Sequence, residues 1–253
     1  MTAPTVAGMI HAAVAQRGIR ETPVNRTPFA RALDNAYGPV TLSGGTQVWR
    51  DGIEWCAVFM AWAWWEASGE TELPPLGDGG FYTPADLQAW DAQGAVVDGA
   101  RPGDWIYYTN AAGTPHHVGL VVNVRGGQVD TIEGNTSPAT VVNPNGGGVF
   151  LFAVGGDAPP RILGSETVLV RPSYAAPSGA TDNEGDEPVS LLRKNGHNAV
   201  WMAIGGHRVW IADEQTANNF RAALGPDLIL DESVAVNQIG PAVPAPGVDP
   251  GDV

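Results

Sequence analysis

The sequence predicts an α+β fold, with helices first and an antiparallel sheet afterwards, followed by a linker and a small α+β module. Three observations predict it. Apolar residues recur at helical spacing through the first third of the chain. Beyond Arg101 the texture changes to short β-rich runs bounded by Gly, Pro and Asn. From Ala175 to Pro188 no large apolar residue occurs, which is the composition of a solvated linker.

Val6, Met9, Ile10, Ala13 and Val14 set out a first helix that ends near Gly18. Pro28 opens a short second helix through Ala36, closed by Gly38, because proline lacks an N–H that the first turn would leave unpaired anyway. Gly52 and Gly69 bracket the apolar run Trp55–Trp65, which reads as one buried helix with Cys56 in its first turn. Thr83-Pro84-Ala85-Asp86 reads as an N-cap followed by proline at the first helical position, and Gly94 ends that helix. Strands are expected over Trp105–Thr109, Val118–Val124, Gln128–Ile132, Val149–Val154 and Thr167–Val170, with Gly126-Gly127 as a hairpin turn. Residues 1–174 then form the first domain and 175–188 the linker. Residues 189–240 form the small module, with strands Ala199–Ile204 and Val209–Ala212 about Gly205-Gly206, a helix Thr216–Leu224 and a strand Leu228–Leu230. Residues 241–253, rich in Pro and Gly, are expected to be a disordered tail.

Hydrophobic content of 43% with nine Trp is ample for a packed core. The net charge is −14, shared equally between residues 1–174 and 175–253, and Lys194 is the single lysine. No basic run exists, which argues against a nucleic-acid partner. An acidic chain is not steered to anionic membranes, and no run of 18 apolar residues is present to span one. The N-terminus, Met1 to Val6, lacks the basic-then-apolar layout of a secretory signal.

Cys56 is the only cysteine, so it makes no internal disulfide and has no thiolate partners for zinc. Two readings remain: an inert core thiol, since free Cys is among the most buried residue types, or a nucleophile. The helix start favours the second, because unpaired N–H groups there stabilise a thiolate. A nucleophilic thiol needs a base, and the base needs a group to orient it. His11 lies on the first helix, and His197 and His207 lie beyond the linker, so none is a natural partner. His116-His117 begins one strand, and the next β run ends in Ile132-Glu133-Gly134-Asn135-Thr136. Paired strands set such residues side by side, so that Glu133 or Asn135 accepts the imidazole N–H. Alternation turns His116 and His117 to opposite faces, and only one can look at Cys56. Each piece alone has a plain structural explanation: an exposed strand end, a turn, a Trp-rich core. Their order is what points to chemistry.

Trp55-Cys56-Ala57-Val58-Phe59, Arg101-Pro102-Gly103-Asp104-Trp105, His117-Val118-Gly119 and Glu133-Gly134-Asn135-Thr136 together resemble the cysteine, histidine-dependent amidohydrolase/peptidase (CHAP) family. These are papain-like peptidoglycan hydrolases common in phage endolysins. The resemblance covers about residues 1–174, and Val170 to Tyr174 look like the end of such a domain. It implies Cys56 as nucleophile, His117 as base and later acid, Glu133 as the group orienting the imidazole, and Asn135 as a further polar partner. The Cys56 N–H is then the oxyanion donor, with Tyr37 a candidate for a second. Ala57 departs from the polar residue that many relatives carry after the thiol. The resemblance implies a monomeric endolysin of the actinobacteriophage type, held in the host cytoplasm until lysis and acting on bacterial peptidoglycan. A virion tail-associated wall hydrolase, or a non-catalytic wall-binding protein with an inert thiol, are the alternatives. No metal cluster is evident and no cofactor is expected, although relatives that bind calcium through acidic loops draw attention to Asp51 and Glu54. The small module carries His197, Trp201, His207 and Trp210, which analogy alone suggests as a wall-binding face.

Overall fold

The computed structural model describes residues 3–42, 45–76, 80–139, 142, 145–176 and five further strands between 190 and 243. Four helices come first: α1 (Val6–Val14), α2 (Pro28–Tyr37), α3 (Cys56–Ala67) and α4 (Thr83–Ala92). Two short strands, β1 (Val40–Thr41) and β2 (Gln47–Val48), pair antiparallel between α2 and α3. The main sheet then forms from β3 (Val96–Val97), β4 (Trp105–Thr109), β5 (Pro115–Arg125), β6 (Gln128–Thr136), β7 (Gly148–Phe152), β8 (Arg161–Ile162) and β9 (Thr167–Val170). Its order is β3-β9-β4-β5-β6-β7, with β8 paired to β6, and every pairing is antiparallel. This is the α+β order that the sequence predicts.

α3 is the pivot of the domain. Its residues Cys56 to Trp65 are all buried, the expected state of a helix that is apolar all round. It packs against α1, α2 and the inner face of β5 and β6. Phe29 of α2 lies against Trp55, Phe59 and Trp62, and Trp105 of β4 meets Trp64 and Trp90 edge-on. Each such ring removed from water contributes about 1.5–3 kcal/mol, so this cluster fixes α3 on the sheet.

The ends of the domain are tied together. Asp104 is buried, bonds the Arg101 N–H through Oδ2 (2.7 Å), and pairs with Arg171 through both oxygens (2.9 Å each). The Tyr174 hydroxyl donates to the Gly103 carbonyl (2.6 Å), and the Ala175 N–H to the Pro4 carbonyl (2.9 Å). Gly103 has φ +91°, and a Cβ there would come within 2.7 Å of Val6 on α1. The Pro-Gly-Asp turn is therefore a clamp between the first helix and the last strand.

Several local expectations change. The α4 N-cap is Tyr82, with no side-chain cap bond; Thr83 lies inside the helix and its hydroxyl reaches the Pro115 carbonyl (3.4 Å). Strand β6 continues past Ile132 to Thr136, because β7 pairs with that extension. Strands β3 and β8 have two residues each, too few to show any alternation in sequence. At Gly126-Gly127 both φ values are positive (51° and 89°), as a two-residue hairpin turn demands.

Beyond residue 176 the described strands are β10 (Ser190–Lys194), β11 (Val200–Ile204), β12 (His207–Ile211), β13 (Leu228–Leu230) and β14 (Ala242–Val243). They form a sheet ordered β13-β10-β11-β12-β14. β10 was not foreseen, and β14 lies within the segment expected as a tail, paired in parallel with Arg208 and Val209 of β12. Residues 177–188 of the expected linker 175–188, and the expected helix Thr216–Leu224, lie outside the described residues.

Candidate active site

The approach to α3 is held from below by α2. The Asp34 carboxylate on α2 accepts the Arg50 N–H and Nη1 (3.1 Å each) and the Asp51 N–H (2.9 Å). Asp51 in turn accepts the Thr27 N–H (3.2 Å). The Trp55 indole N–H donates to Glu21 (2.8 Å). Chain direction is thereby set before the helix begins. Trp55 occupies the N-cap with no side-chain bond to the first turn, and Cys56 follows at the first helical position, 5% exposed. The thiol thus sits where unpaired N–H groups gather, at the helix's positive end.

His117 enters from β5 and is fully buried. Its Nε2–H donates to Oε2 of Glu133 on β6 (3.0 Å). Nδ1 is buried and makes no hydrogen bond of its own, and Cys56 is the group that, beside Glu133, acts on the ring electrostatically. Burial alone lowers the proton affinity of the imidazole, but the bonds and charges of Cys56 and Glu133 outweigh it and push the pKa up to about 9. Burial likewise opposes ionisation of Glu133, yet the bonds from His117 and Arg161 hold its carboxyl far below the usual carboxylate range. An ionised Glu133 only accepts, which fixes the hydrogen on Nε2 and the tautomer of the ring.

Register explains two motif glycines. Leu120 pairs with Ile132, which sets Glu133 beside Gly119 instead of beside His117. The Glu133 side chain crosses over Gly119 on the diagonal to reach the imidazole. A Cβ on Gly119 would stand 2.6 Å from Glu133 Cγ. Gly134 lets β6 close onto α3, since a Cβ there would lie 2.7 Å from Phe59. The β6–β7 register shifts between Glu133 and Thr136, and bulges of this kind re-aim side chains next to functional sites.

Glu133 has more partners than its sequence position suggests. Oε1 accepts the Tyr108 hydroxyl (2.7 Å), the Thr131 hydroxyl (2.6 Å) and Arg161 Nε (2.9 Å). Oε2 accepts Arg161 Nη2 (2.8 Å) beside His117. The Tyr108 ring stacks on the imidazole at 5.6 Å, and the Arg161 guanidinium lies 3.6 Å over the Phe152 ring. Sequence reasoning missed all three donors. Thr131 was within reach, because residues two apart on a strand share a face with Glu133. Tyr108 pairs with His117 across β4 and β5, a register no local pattern reveals. Arg161 follows two prolines, and nothing in its neighbourhood points to Glu133.

The remaining candidates are placed as follows. His116 is half-buried; burial lowers its pKa, the neighbouring His117 adds to this, and the charge of Glu166 works against it. Asn135 is buried at the β6 bulge with φ 56°, and its carbonyl accepts the Gly146 N–H (3.0 Å). Tyr37 is exposed at the end of α2. Among the described residues, no group of three or more His, Cys, Asp or Glu side chains is arranged to hold a metal ion. Among the same residues no helix is long and apolar enough to cross a membrane.

A cysteine at a helix start, facing a histidine on an antiparallel sheet, defines a papain-like α+β arrangement. Residues 48–135 match the CHAP domain, a family of amidase and peptidase hydrolases. The matched span runs from the end of β2 to the β6 bulge and contains Cys56, His117, Glu133 and Asn135. It stops short of Arg161. No curated protein and no solved structure matches the chain.

Proposed function

We propose that this protein is an endolysin-like peptidoglycan hydrolase that cleaves amide bonds of bacterial wall peptides for host lysis. The observation that carries the reading is the buried relay Cys56–His117–Glu133, lying wholly within the CHAP match. The Cys56 thiolate attacks the amide carbonyl carbon, and the resulting oxyanion takes a hydrogen bond from the Cys56 N–H at the start of α3. Losing one such donor costs about 3 kcal/mol of transition-state stabilisation. The His117 imidazolium gives its proton to the leaving amine as the C–N bond breaks. The thioester is then hydrolysed by a water that His117 deprotonates. Glu133 keeps the ring aimed throughout, and Asn135, two residues on in the same matched span, is the further polar group that the family resemblance assigns to the site. The scissile bond is either within the stem or cross-bridge peptides or at the N-acetylmuramoyl-L-alanine amide.

The test is digestion of purified peptidoglycan sacculi by the full chain, followed by turbidity and by mass spectrometry of the released fragments. Cys56→Ala and His117→Ala abolish release with the circular dichroism unchanged, while His116→Ala stays active. Glu133→Gln weakens release severely. It is preferred to Glu133→Ala, because removing a buried carboxylate altogether strands Arg161 at a cost of about 3–5 kcal/mol. Full activity in Cys56→Ala would sink the proposal. A dead His116→Ala beside an active His117→Ala would move the base.

A further inference from the structure

We infer that Arg161 is a positioning residue for this reaction: it grips Glu133 at two points and holds that carboxylate's charge, so that His117 shares one fixed acceptor. The inference rests on the catalytic reading above. Arg161 lies outside the matched span, 28 residues beyond Glu133 in sequence, and reaches it only because β8 pairs with β6 at Val129 and Arg161. The guanidinium is 5% exposed, donates Nε to Oε1 and Nη2 to Oε2, and is backed by the Phe152 ring. A planar fork on a carboxylate fixes position and orientation together, which an ammonium does not.

A structural ion pair would need only this contact. Here Oε2 is shared between Arg161 and the His117 Nε2–H, so the carboxylate is the bridge between a permanent cation and the proton-carrying ring. The charged and titratable groups facing that bridge are Cys56 on α3, Tyr108 on β4, His117 on β5 and Arg161 on β8; Thr131 adds a hydroxyl from β6, and His116 on the other face of β5 bears on it only through His117. Among them Arg161 is the one group whose charge does not change with pH. Removing it leaves a net negative charge in the buried cluster. Every neighbouring group then binds its proton more tightly.

Cys56 is the only cysteine, so iodoacetamide alkylation of the full chain reads this site without any wall substrate. The pH profile of that rate, measured for the parent, Arg161→Met and Arg161→Lys, tests the inference. In Arg161→Met the high-side inflection, loss of the His117 imidazolium, moves to higher pH. In Arg161→Lys, which keeps the charge, it returns towards the parent position. On sacculi Arg161→Lys loses about tenfold in kcat with KM unchanged, because the two-point grip is gone. An unmoved high-side inflection in Arg161→Met, or one that falls towards free imidazole as a loosened fold requires, overturns the inference. If Arg161→Met does not fold, the lysine variant decides: parental kcat in Arg161→Lys overturns it. A parent whose alkylation shows the high-side inflection yet fails to digest sacculi refutes the wall substrate and leaves the inference standing.

Discussion

His117 is where burial and charge compete most directly. A free imidazole has a pKa of about 6.5, and in this fold it is pushed up to about 9 by Cys56 and Glu133 against the effect of burial. Because the folded value is raised, its stabilising contribution is complete below the free value and is lost as pH climbs through the folded one. Glu133 is the opposite case. Its folded value is depressed, so its contribution is present above the ordinary carboxylate range and is lost only in strong acid. The urea midpoint gap between the parent and His117→Ala should therefore narrow between about pH 7 and pH 10, and hydrolysis of sacculi should decline on the same alkaline limb. A gap that widens with rising pH would contradict the raised proton affinity of His117. His117 and Glu133 were both visible in sequence, one before a strand and one at the end of the next. Tyr108 and Arg161 were not, because their link to Glu133 is a matter of strand register and of a two-residue strand after two prolines.

The glycines of the two strand motifs act at the level of elements. Gly119 gives Glu133 its diagonal path across β5, and Gly134 gives β6 its close seat on α3. Alanine at these positions should fail in different ways. Gly134→Ala drives a methyl into Phe59 and should destabilise by about 1–3 kcal/mol, read as a urea midpoint. Phe59→Ala in the same chain should recover part of that loss, giving a coupling energy of about 0.5 kcal/mol or more in a double-mutant cycle. Gly119→Ala instead pushes on the Glu133 side chain that orients His117, so activity on sacculi should fall further than stability does. Equal losses of stability in both variants, with no coupling to Phe59, would refute the assignment. The positions of α1, α2, α3 and the long strands were legible because apolar spacing and breaker residues are local signals. Strands β1, β2, β3 and β8 were not, being two residues long and defined only by their partners.

Across the whole molecule, the described contacts close the first domain on itself at Pro4–Ala175 and at the Asp104–Arg171 and Gly103–Tyr174 clamp. A chain cut after residue 176 should keep its cooperative unfolding and still digest sacculi. If the C-terminal sheet binds the wall, as proposed by analogy with two-domain lysins, that shortened chain should pellet less with intact cell walls than the full chain does. Unchanged pelleting would remove the wall-binding role, and loss of cooperative unfolding would move the domain boundary. By itself the sequence determined that helices precede a sheet, that one thiol opens an apolar helix, and that a histidine and an acid follow on neighbouring strands. These rest on local pattern, on 3.6- and 2-residue periods and on turn chemistry, which any short stretch carries within itself. Only the tertiary structure decided how Glu133 crosses Gly119 to His117 and how Arg161 grips the far side of that carboxylate. Those contacts join residues far apart in the chain, and their geometry exists only once registers and packing have been chosen together.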